Sequence, residues 1–221
     1  MNKPSTKKSR TAKRKRSRLV VAPKAKPRRR RGGVRLLYVG TRGVVRAVSQ
    51  STGRKVWGIS LPGTGYELVS LLHTGDLLLA GSRGCLFGLD ARTGQIRWKN
   101  ELRGMQYGSM QLATESDSSL VFVGIYGHVV AISKRSGRKK WQVSLPRTGY
   151  AIVSVVSEGG RVLAGSKGLL FGIDPRRGQI EWTNRLKGLG YEHLALAGAQ
   201  HTNSNELVQI QQAAAAAQPQ S

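Results

Sequence analysis

The stretch that decides the fold runs from Ala80 to Trp98 and is Ala-Gly-Ser-Arg-Gly-Cys-Leu-Phe-Gly-Leu-Asp-Ala-Arg-Thr-Gly-Gln-Ile-Arg-Trp. An apolar run of strand length follows the tight Gly-Ser-Arg-Gly turn, and a Thr-Gly pair separates it from the tryptophan. Glycine supplies the positive φ that hairpin turns require. Since no helical periodicity interrupts the pattern, it predicts antiparallel strands joined by short turns.

The same pattern recurs four times along the chain. The four tryptophans stand 41, 43 and 41 residues apart, each with a glycine four residues before it and a tyrosine nine residues after it. These sets are Gly53, Trp57 and Tyr66; Gly94, Trp98 and Tyr107; Gly137, Trp141 and Tyr150; and Gly178, Trp182 and Tyr191. Recurrence in one register predicts tandem repeats of about 41 residues.

The repeats themselves alternate in type. Gly53-Arg-Lys of repeat 1 matches Gly137-Arg-Lys of repeat 3, and Ala80-Gly-Ser of repeat 2 matches Ala164-Gly-Ser of repeat 4, which indicates duplication of an 84-residue pair. Each second strand has a small residue at its middle: Ala47, Gly88, Ala131 or Gly172. We expect this residue to leave a hollow that the indole of a neighbouring repeat fills.

This pattern resembles the pyrroloquinoline-quinone-type (quinoprotein-like) β-propeller repeat over roughly residues 34–200. The resemblance implies an all-β fold, a β-propeller of four four-stranded blades behind a disordered basic N-terminal arm. Family members usually have seven or eight blades, so a homodimer with eight blades is the alternative to a closed ring of four. Glu206–Ile210 resembles the start of a fifth repeat and keeps both alternatives open.

Composition predicts three segments. Residues 1–33 form the arm, which lacks the apolar surface needed to offset the entropy of ordering. Residues 34–200 hold the repeats, at about 34–74, 75–117, 118–158 and 159–200. Residues 201–221 hold a partial strand and a low-complexity tail.

The sequence shows no catalytic or metal constellation. Cofactor-binding members of the family use a neighbouring cysteine pair and a set of acidic and Asn metal ligands, whereas Cys85 is the single cysteine and the histidines are not at ligand spacing. We therefore predict no cofactor, no metal and no enzyme activity, with a quinoprotein-type oxidoreductase as the disfavoured alternative. Asp90 and Asp174 are expected to cap turns. Asn100 and Asn184 are expected to bond locally or to line a polar axis.

The charge of the chain is concentrated at its amino terminus. Net charge is +26, and residues 1–31 hold 15 of the 37 Lys and Arg with no acidic or aromatic residue. This composition predicts salt-sensitive, sequence-nonspecific binding of DNA or RNA without base stacking. The predicted contact residues are Lys7, Lys8, Arg10, Lys13, Arg14, Lys15, Arg16, Arg18, Lys24, Lys26, Arg28, Arg29, Arg30 and Arg31 of the arm, with Arg138, Lys139 and Lys140 of the body.

The resulting functional hypothesis is a non-enzymatic binding or scaffold protein, a small propeller tethered to nucleic acid by its arm. The alternative is a protein–protein interaction propeller, with a partner on its face and an arm that is only a targeting signal. No apolar run reaches the ~20 residues of a membrane span, and the amino terminus lacks a signal-peptide pattern and a lipid-attachment cysteine. These features predict an intracellular protein without a membrane partner, nuclear in a eukaryote and otherwise cytoplasmic.

Overall fold

The computed structural model describes residues 34–106 and 108–198, and their regular elements are all β-strands. The chain divides between Gly33 and Val34 into two units, and every described residue belongs to the second. The prediction of an all-β fold is confirmed. Over these residues no helix has the length and apolar character of a membrane span.

The strands are antiparallel and follow one another through hairpins and loops. Their bounds are β1 (Leu36–Thr41), β2 (Val44–Ser49), β3 (Lys55–Ser60), β4 (Ser70–Thr74), β5 (Leu77–Ser82), β6 (Cys85–Asp90), β7 (Ile96–Glu101), β8 (Gln111–Ala113), β9 (Leu120–Ile125), β10 (His128–Ser133), β11 (Lys139–Ser144), β12 (Ser154–Glu158), β13 (Arg161–Ser166), β14 (Leu169–Ile173) and β15 (Ile180–Arg185). They make sheet 1 (β1–β3), sheet 2 (β4–β7), sheet 3 (β8–β11) and sheet 4 (β12–β15).

Sheets are offset from repeats by one strand. β4 stands at the end of repeat 1, yet it pairs with β5 of repeat 2 in the register Ser70↔Gly81. β8 and β12 likewise join the sheet that follows them. Sheet 1 has three strands rather than the four predicted for each blade, because the positions that correspond to β4, residues 29–33, lie outside the described part of the chain.

The core lies between consecutive sheets. Val45, Ala47, Leu78 and Phe87 are buried between sheets 1 and 2, and similar apolar clusters join sheets 2 and 3 and sheets 3 and 4. Among the described residues no apolar cluster joins sheet 4 to sheet 1. Over residues 34–106 and 108–198 the four sheets therefore form an open series, with Leu37 and Val39 of sheet 1 and Trp182 of sheet 4 exposed at its two ends.

Tryptophans connect the sheets through their indole nitrogens. Nε1 of Trp57 donates to the carbonyl of Ala91 at 3.2 Å, and Nε1 of Trp98 donates to that of Lys134 at 2.8 Å. Trp141 repeats the contact with Pro175 at 2.9 Å. The inter-sheet role expected of all four tryptophans is confirmed for these three, whereas Trp182 is 38% exposed at the end of the series.

The glycine that seats each indole differs from the one predicted. Gly88 and Gly172 pair directly with Trp98 and Trp182 of their own sheets, so each hollow receives the tryptophan of the same repeat. The inter-sheet seat is the glycine of the following Thr-Gly or Arg-Gly turn, as Trp57 packs on Gly94. Cross-strand register explains the difference, because directly opposed side chains are nearest neighbours.

Asp90 and Asp174 cap the turns that carry these seats, as predicted. Oδ1 of Asp90 accepts from the backbone N–H groups of Arg92 at 3.0 Å and Thr93 at 2.9 Å, and Oδ2 accepts from Arg97 at 2.6 Å. Asp174 accepts two backbone N–H groups at 2.7 Å. Arg97, followed by Thr93, holds the pKa of Asp90 below its ordinary value.

Replacing Asp90 by Asn should lower the urea midpoint of unfolding at neutral pH. Since the folded-state pKa is depressed, the stabilisation is present above the unfolded-state pKa and is lost as the pH falls through the folded-state value. The difference from wild type should therefore shrink below about pH 4. Urea titrations of both proteins between neutral and acidic pH measure this, with Asp117→Asn at an exposed position as the control. A difference that does not change with pH would contradict the carboxylate's role.

Candidate interaction face

Three repeat tyrosines lie in solvent on loops that follow the last strand of a sheet. Tyr66, Tyr150 and Tyr191 are 87%, 81% and 85% exposed, whereas Tyr107 lies outside the described residues. Large aromatic side chains are usually at least half-buried, so this exposure at equivalent positions of three repeats is a structural feature that packing does not explain.

The loops that present Tyr66 and Tyr150 are held by buried polar contacts. Thr64 and Thr148 are fully buried, and their hydroxyls donate to the carbonyls of Leu61 at 2.9 Å and Leu145 at 2.8 Å. Gly43 has a φ of 65° and lies so close to the carbonyl of Gly65 that a Cβ there would clash. Tyr66 and Tyr150 therefore project from loops whose backbone these contacts fix.

Cations lie on the hairpin tips beside these loops. Arg42, Arg83 and Lys167 have φ of 48°, 45° and 46°, in the left-handed region, and their side chains are exposed. A residue with a Cβ in this region costs roughly 1–2 kcal/mol, which glycine would avoid. Nη1 of Arg83 lies 3.6 Å from the position that a Cβ on Gly65 would take, next to Tyr66. We name this surface the tyrosine face: Tyr66, Tyr150, Tyr191, Arg42, Arg83 and Lys167.

A cleft of about 620 Å³ opens at the sheet 4 end of the tyrosine face. Four cations line it, together with Tyr191 and backbone glycines, and its lining contains no carboxylate: Arg147, Lys167, Arg185 and Lys187. Close to sheet 3, the rings of Tyr126 and Tyr150 pack edge to face with centroids 5.7 Å apart. The face thus combines aromatic surface with a cleft whose lining holds cations and no carboxylate.

The three body residues predicted to contact nucleic acid do not lie on this face. The arm residues lie outside the described part of the chain. Arg138, Lys139 and Lys140 are exposed at the start of β11, whereas the loop of Tyr150 follows the end of that strand. A strand of six residues separates the two ends by roughly 20 Å. The sequence signal that could have found the tyrosine face is the Gly-Tyr pair, which recurs outside the alternating apolar pattern of the strands.

Asn100 makes a contact that differs from both predictions for it. Its Nδ2 donates to the carbonyl of Gly137 at 2.6 Å, across the boundary between sheets 2 and 3. The bond is therefore neither local nor part of a polar axis. Asn184, its counterpart in sheet 4, is exposed.

The described residues hold no group of His, Cys, Asp or Glu suited to a metal ion. A second cleft of about 600 Å³ between sheets 3 and 4 contains Glu115, Asp117 and Asp174. Asp174 is already engaged by the backbone of its turn. Burial raises the pKa of the Cys85 thiol, which disfavours the nucleophilic thiolate. These groups fit a structural role.

Comparisons with known proteins agree with this architecture. The family model described as outer membrane protein assembly factor BamB matches residues 41–188 and, in an overlapping match, residues 125–216. BamB of Yersinia pestis is 21% identical over 168 residues, which cover 70% of this chain and 42% of the relative. Quinoprotein alcohol dehydrogenase PedH of Pseudomonas putida is 27% identical over 148 residues, 58% of this chain and 25% of the relative.

A solved structure shows the same fold. BamB from Moraxella catarrhalis aligns with a TM-score of 0.54 and 22% identity over 67% of this chain and 49% of that one. The chain therefore spans less than half the length of the two curated relatives, and about half of this solved structure.

The predicted intracellular or nuclear location is wrong. Both the family model and the Yersinia relative are outer membrane protein assembly factors, which are proteins of the bacterial envelope. The prediction rested on the apparent lack of a leader and of a lipid-attachment cysteine, and such features do not identify the compartment of a propeller.

The resemblance inferred from the repeats is confirmed by residues that the comparison and the structure share. The matched range 41–188 contains all four tryptophans and the turn glycines Gly94, Gly137 and Gly178 on which three of them dock. It covers well over half of the chain. The chain belongs to the family of pyrroloquinoline-quinone-like repeat β-propellers described as outer membrane protein assembly factor BamB.

Proposed function

We propose that this chain is a non-enzymatic scaffold that binds an acidic polypeptide segment on its tyrosine face. The observation that carries the proposal is the exposure of Tyr66, Tyr150 and Tyr191 at equivalent positions of the repeats. Tyrosine and arginine are enriched in the binding hot spots of protein interfaces, because each buries a large surface and keeps a polar tip. The fixed loops reduce the entropy cost of ordering them on binding.

The chemistry of the face favours an acidic partner. The cleft at the sheet 4 end presents Arg147, Lys167, Arg185 and Lys187, and no carboxylate in its lining competes for them. Arginine binds carboxylates through two parallel hydrogen bonds. The name of the matched family, an outer membrane protein assembly factor, also supports a polypeptide partner rather than a small-molecule substrate.

Changing the three tyrosines to alanine should weaken binding of acidic peptides at least about tenfold, since hot-spot truncations cost ~2 kcal/mol or more. The probe is an array of fluorescent peptides that contain Leu and Phe together with Asp and Glu, compared with peptides of the same apolar content carrying Lys. Fluorescence anisotropy measures the dissociation constants. Wild type should bind the acidic set and not the basic set.

A second triple variant controls for general electrostatic attraction. Arg138→Ala, Lys139→Ala and Lys140→Ala remove three exposed charges at the other end of β11 and should leave the affinity nearly unchanged. An equal loss in both variants would contradict a specific face. Binding of acidic peptides unaffected by the tyrosine changes would contradict the proposal outright.

A second candidate function concerns the arm. Residues 1–31 hold 15 Lys and Arg and no acidic residue, so we propose that they bind DNA or RNA without regard to sequence. The family match begins at residue 41, so it neither includes nor describes the arm.

A further inference from the structure

The boundary between sheets 2 and 3 shows what one sheet requires of the next. Trp98 and Asn100, two residues apart on β7, donate to the carbonyls of Lys134 and Gly137 at 2.8 and 2.6 Å. A Cβ on Gly137 would clash with the ring of Trp98. The strand that carries the tryptophan therefore docks on a turn glycine, here Gly137, and on two backbone carbonyls of the same turn. We call this glycine and these two carbonyls the seat.

The last strand of sheet 4 carries the same two hydrogen-bond donors as β7. Because repeats 2 and 4 match, Trp182 and Asn184 on β15 correspond to Trp98 and Asn100. Trp182 is 38% exposed, and within residues 34–106 and 108–198 neither Nε1 of Trp182 nor the amide of Asn184 has an acceptor. Nε1 of Trp182 is thus a hydrogen-bond donor available to a carbonyl of another surface.

Sheet 1 carries a second copy of the seat. Repeats 1 and 3 match, so Gln50 and Gly53 correspond to Lys134 and Gly137. The backbone agrees: Gln50 N donates to Arg35 O at 2.9 Å, as Lys134 N donates to Ser119 O. Gly53 has the same φ of 67° as Gly137, and in the described structure a Cβ there would meet nothing within 4 Å.

Beside Gly53, sheet 1 has exposed apolar residues in the described part of the chain. Leu37 and Val39 are 54% and 49% exposed at positions where sheets 2 to 4 have buried apolar residues. Past sheet 4, Ser154 donates to the carbonyl of Leu194 as Ser70 donates to that of Met110, and Leu194 and Leu196 cover Gly165. Residues 195–197 thus stand one repeat after β12, at positions that correspond to the first strand of a sheet, and in the described structure they belong to no strand.

We infer that two copies of this chain associate head to tail, Trp182 and Asn184 of one copy docking on Gly53 and Gln50 of the other. The interface repeats the one between sheets 2 and 3, and residues 195–197 pair with β1 of the partner copy. With a half-turn rotation between the copies, two such contacts join eight sheets in a closed ring. This inference does not depend on the proposed function.

Two arginines make the proposed interface between copies differ from the interface between sheets 2 and 3. Arg46 stands where sheet 3 has Val130, and Arg161 stands where sheet 2 has Leu77. Arg161 is paired with Glu181 at 2.8 Å, and Arg46 is exposed. Each copy also carries a net charge of +26, which opposes association at low ionic strength, so the assembly should be favoured by salt, which screens exposed charges beyond ~8 Å at about 0.15 M.

The experiment is a light-scattering mass measurement of the full chain over a dilution series, at moderate salt. Wild type should pass from the mass of one chain to that of two. Gly53→Ala should remain monomeric at the concentration at which wild type is half dimeric, because the new Cβ occupies the indole seat. Gly75→Ala is the matched control, since Gly75 also has a positive φ (59°) in an exposed hairpin with nothing within 4 Å of a Cβ.

Trp182→Ala is the second variant and should also be monomeric. Thermal unfolding of the monomers checks that Gly53→Ala and Gly75→Ala lose similar stability. A wild type that stays monomeric at every concentration would overturn the inference. This includes the case in which residues 199–221 of the same chain occupy the site at Gly53. A dimer that survives both Gly53→Ala and Trp182→Ala, or open chains of many copies in place of a pair, would also overturn it.

Discussion

Replacing Trp98 by Ala should lower the free energy of unfolding by about 3–5 kcal/mol, the range for truncation of a large aromatic in a core. The ring packs on Gly137, against the core between sheets 2 and 3, and its Nε1 satisfies the carbonyl of Lys134. The alanine variant leaves a void over the glycine seat and that carbonyl without its donor. Urea unfolding followed by far-ultraviolet circular dichroism measures the change.

Tyr66→Ala is the control for this variant. It removes a large aromatic side chain that is 87% exposed, so the free energy of unfolding should change by no more than about 0.5 kcal/mol. Comparable losses in the two variants would show that Trp98 does not join the sheets. A small loss of unfolding free energy in the Trp98 variant would show that the structure around Gly137 collapses into the space left by the ring.

Deleting residues 1–31 should remove most of the salt dependence of nucleic-acid binding. If ~6–10 of the 15 charges engage phosphates, the affinity of the full chain should fall by ~10³–10⁵ between 50 and 200 mM salt. Each cation that no longer engages a phosphate reduces the slope of log affinity against log salt by about 0.9 on duplex DNA. Titrations of one unrelated duplex and one single strand across a salt series measure both forms.

The Arg138, Lys139 and Lys140 triple variant is the control here as well. It removes three charges from the repeats, so it should reduce the slope by at most about 2.7, well short of the arm deletion. Equal binding by the full and shortened chains would assign the affinity to the repeats. Absence of binding by both at low salt would contradict the prediction.

The elements of this fold that depend on local chemistry could be predicted from the sequence. Turn glycines set where strands begin, so β2 starts at Val44 directly after Gly43, and β3 starts at Lys55 two residues after Gly53. The carboxylate of Asp90 bonds within its own turn, which its position before Ala-Arg-Thr-Gly already indicates. Local patterns of this kind involve neighbours in the chain and are independent of packing.

Features that arise between repeats were harder to predict. Both the bond from Asn100 to Gly137 and the seat of Trp57 on Gly94 join residues about 37 apart, and nothing in the local sequence specifies such a partner. The exposure of Tyr66 was missed because recurrence alone does not distinguish a core position from a surface one. Blades of four strands were predicted, but the membership of β4 in the sheet that follows its own repeat is shown only by the pairing Ser70↔Gly81.

The one-strand offset between repeats and sheets has a consequence for cutting the chain. The hairpin at Gly159–Gly160 joins β12 to β13, and both glycines have positive φ on an exposed turn. A break there leaves β12 on the amino-terminal fragment and the three strands that complete its sheet on the other. Each fragment then has unpaired backbone N–H and C=O groups that the other can bind. The two fragments should therefore reassemble, because pairing of β12 with β13 restores sheet 4.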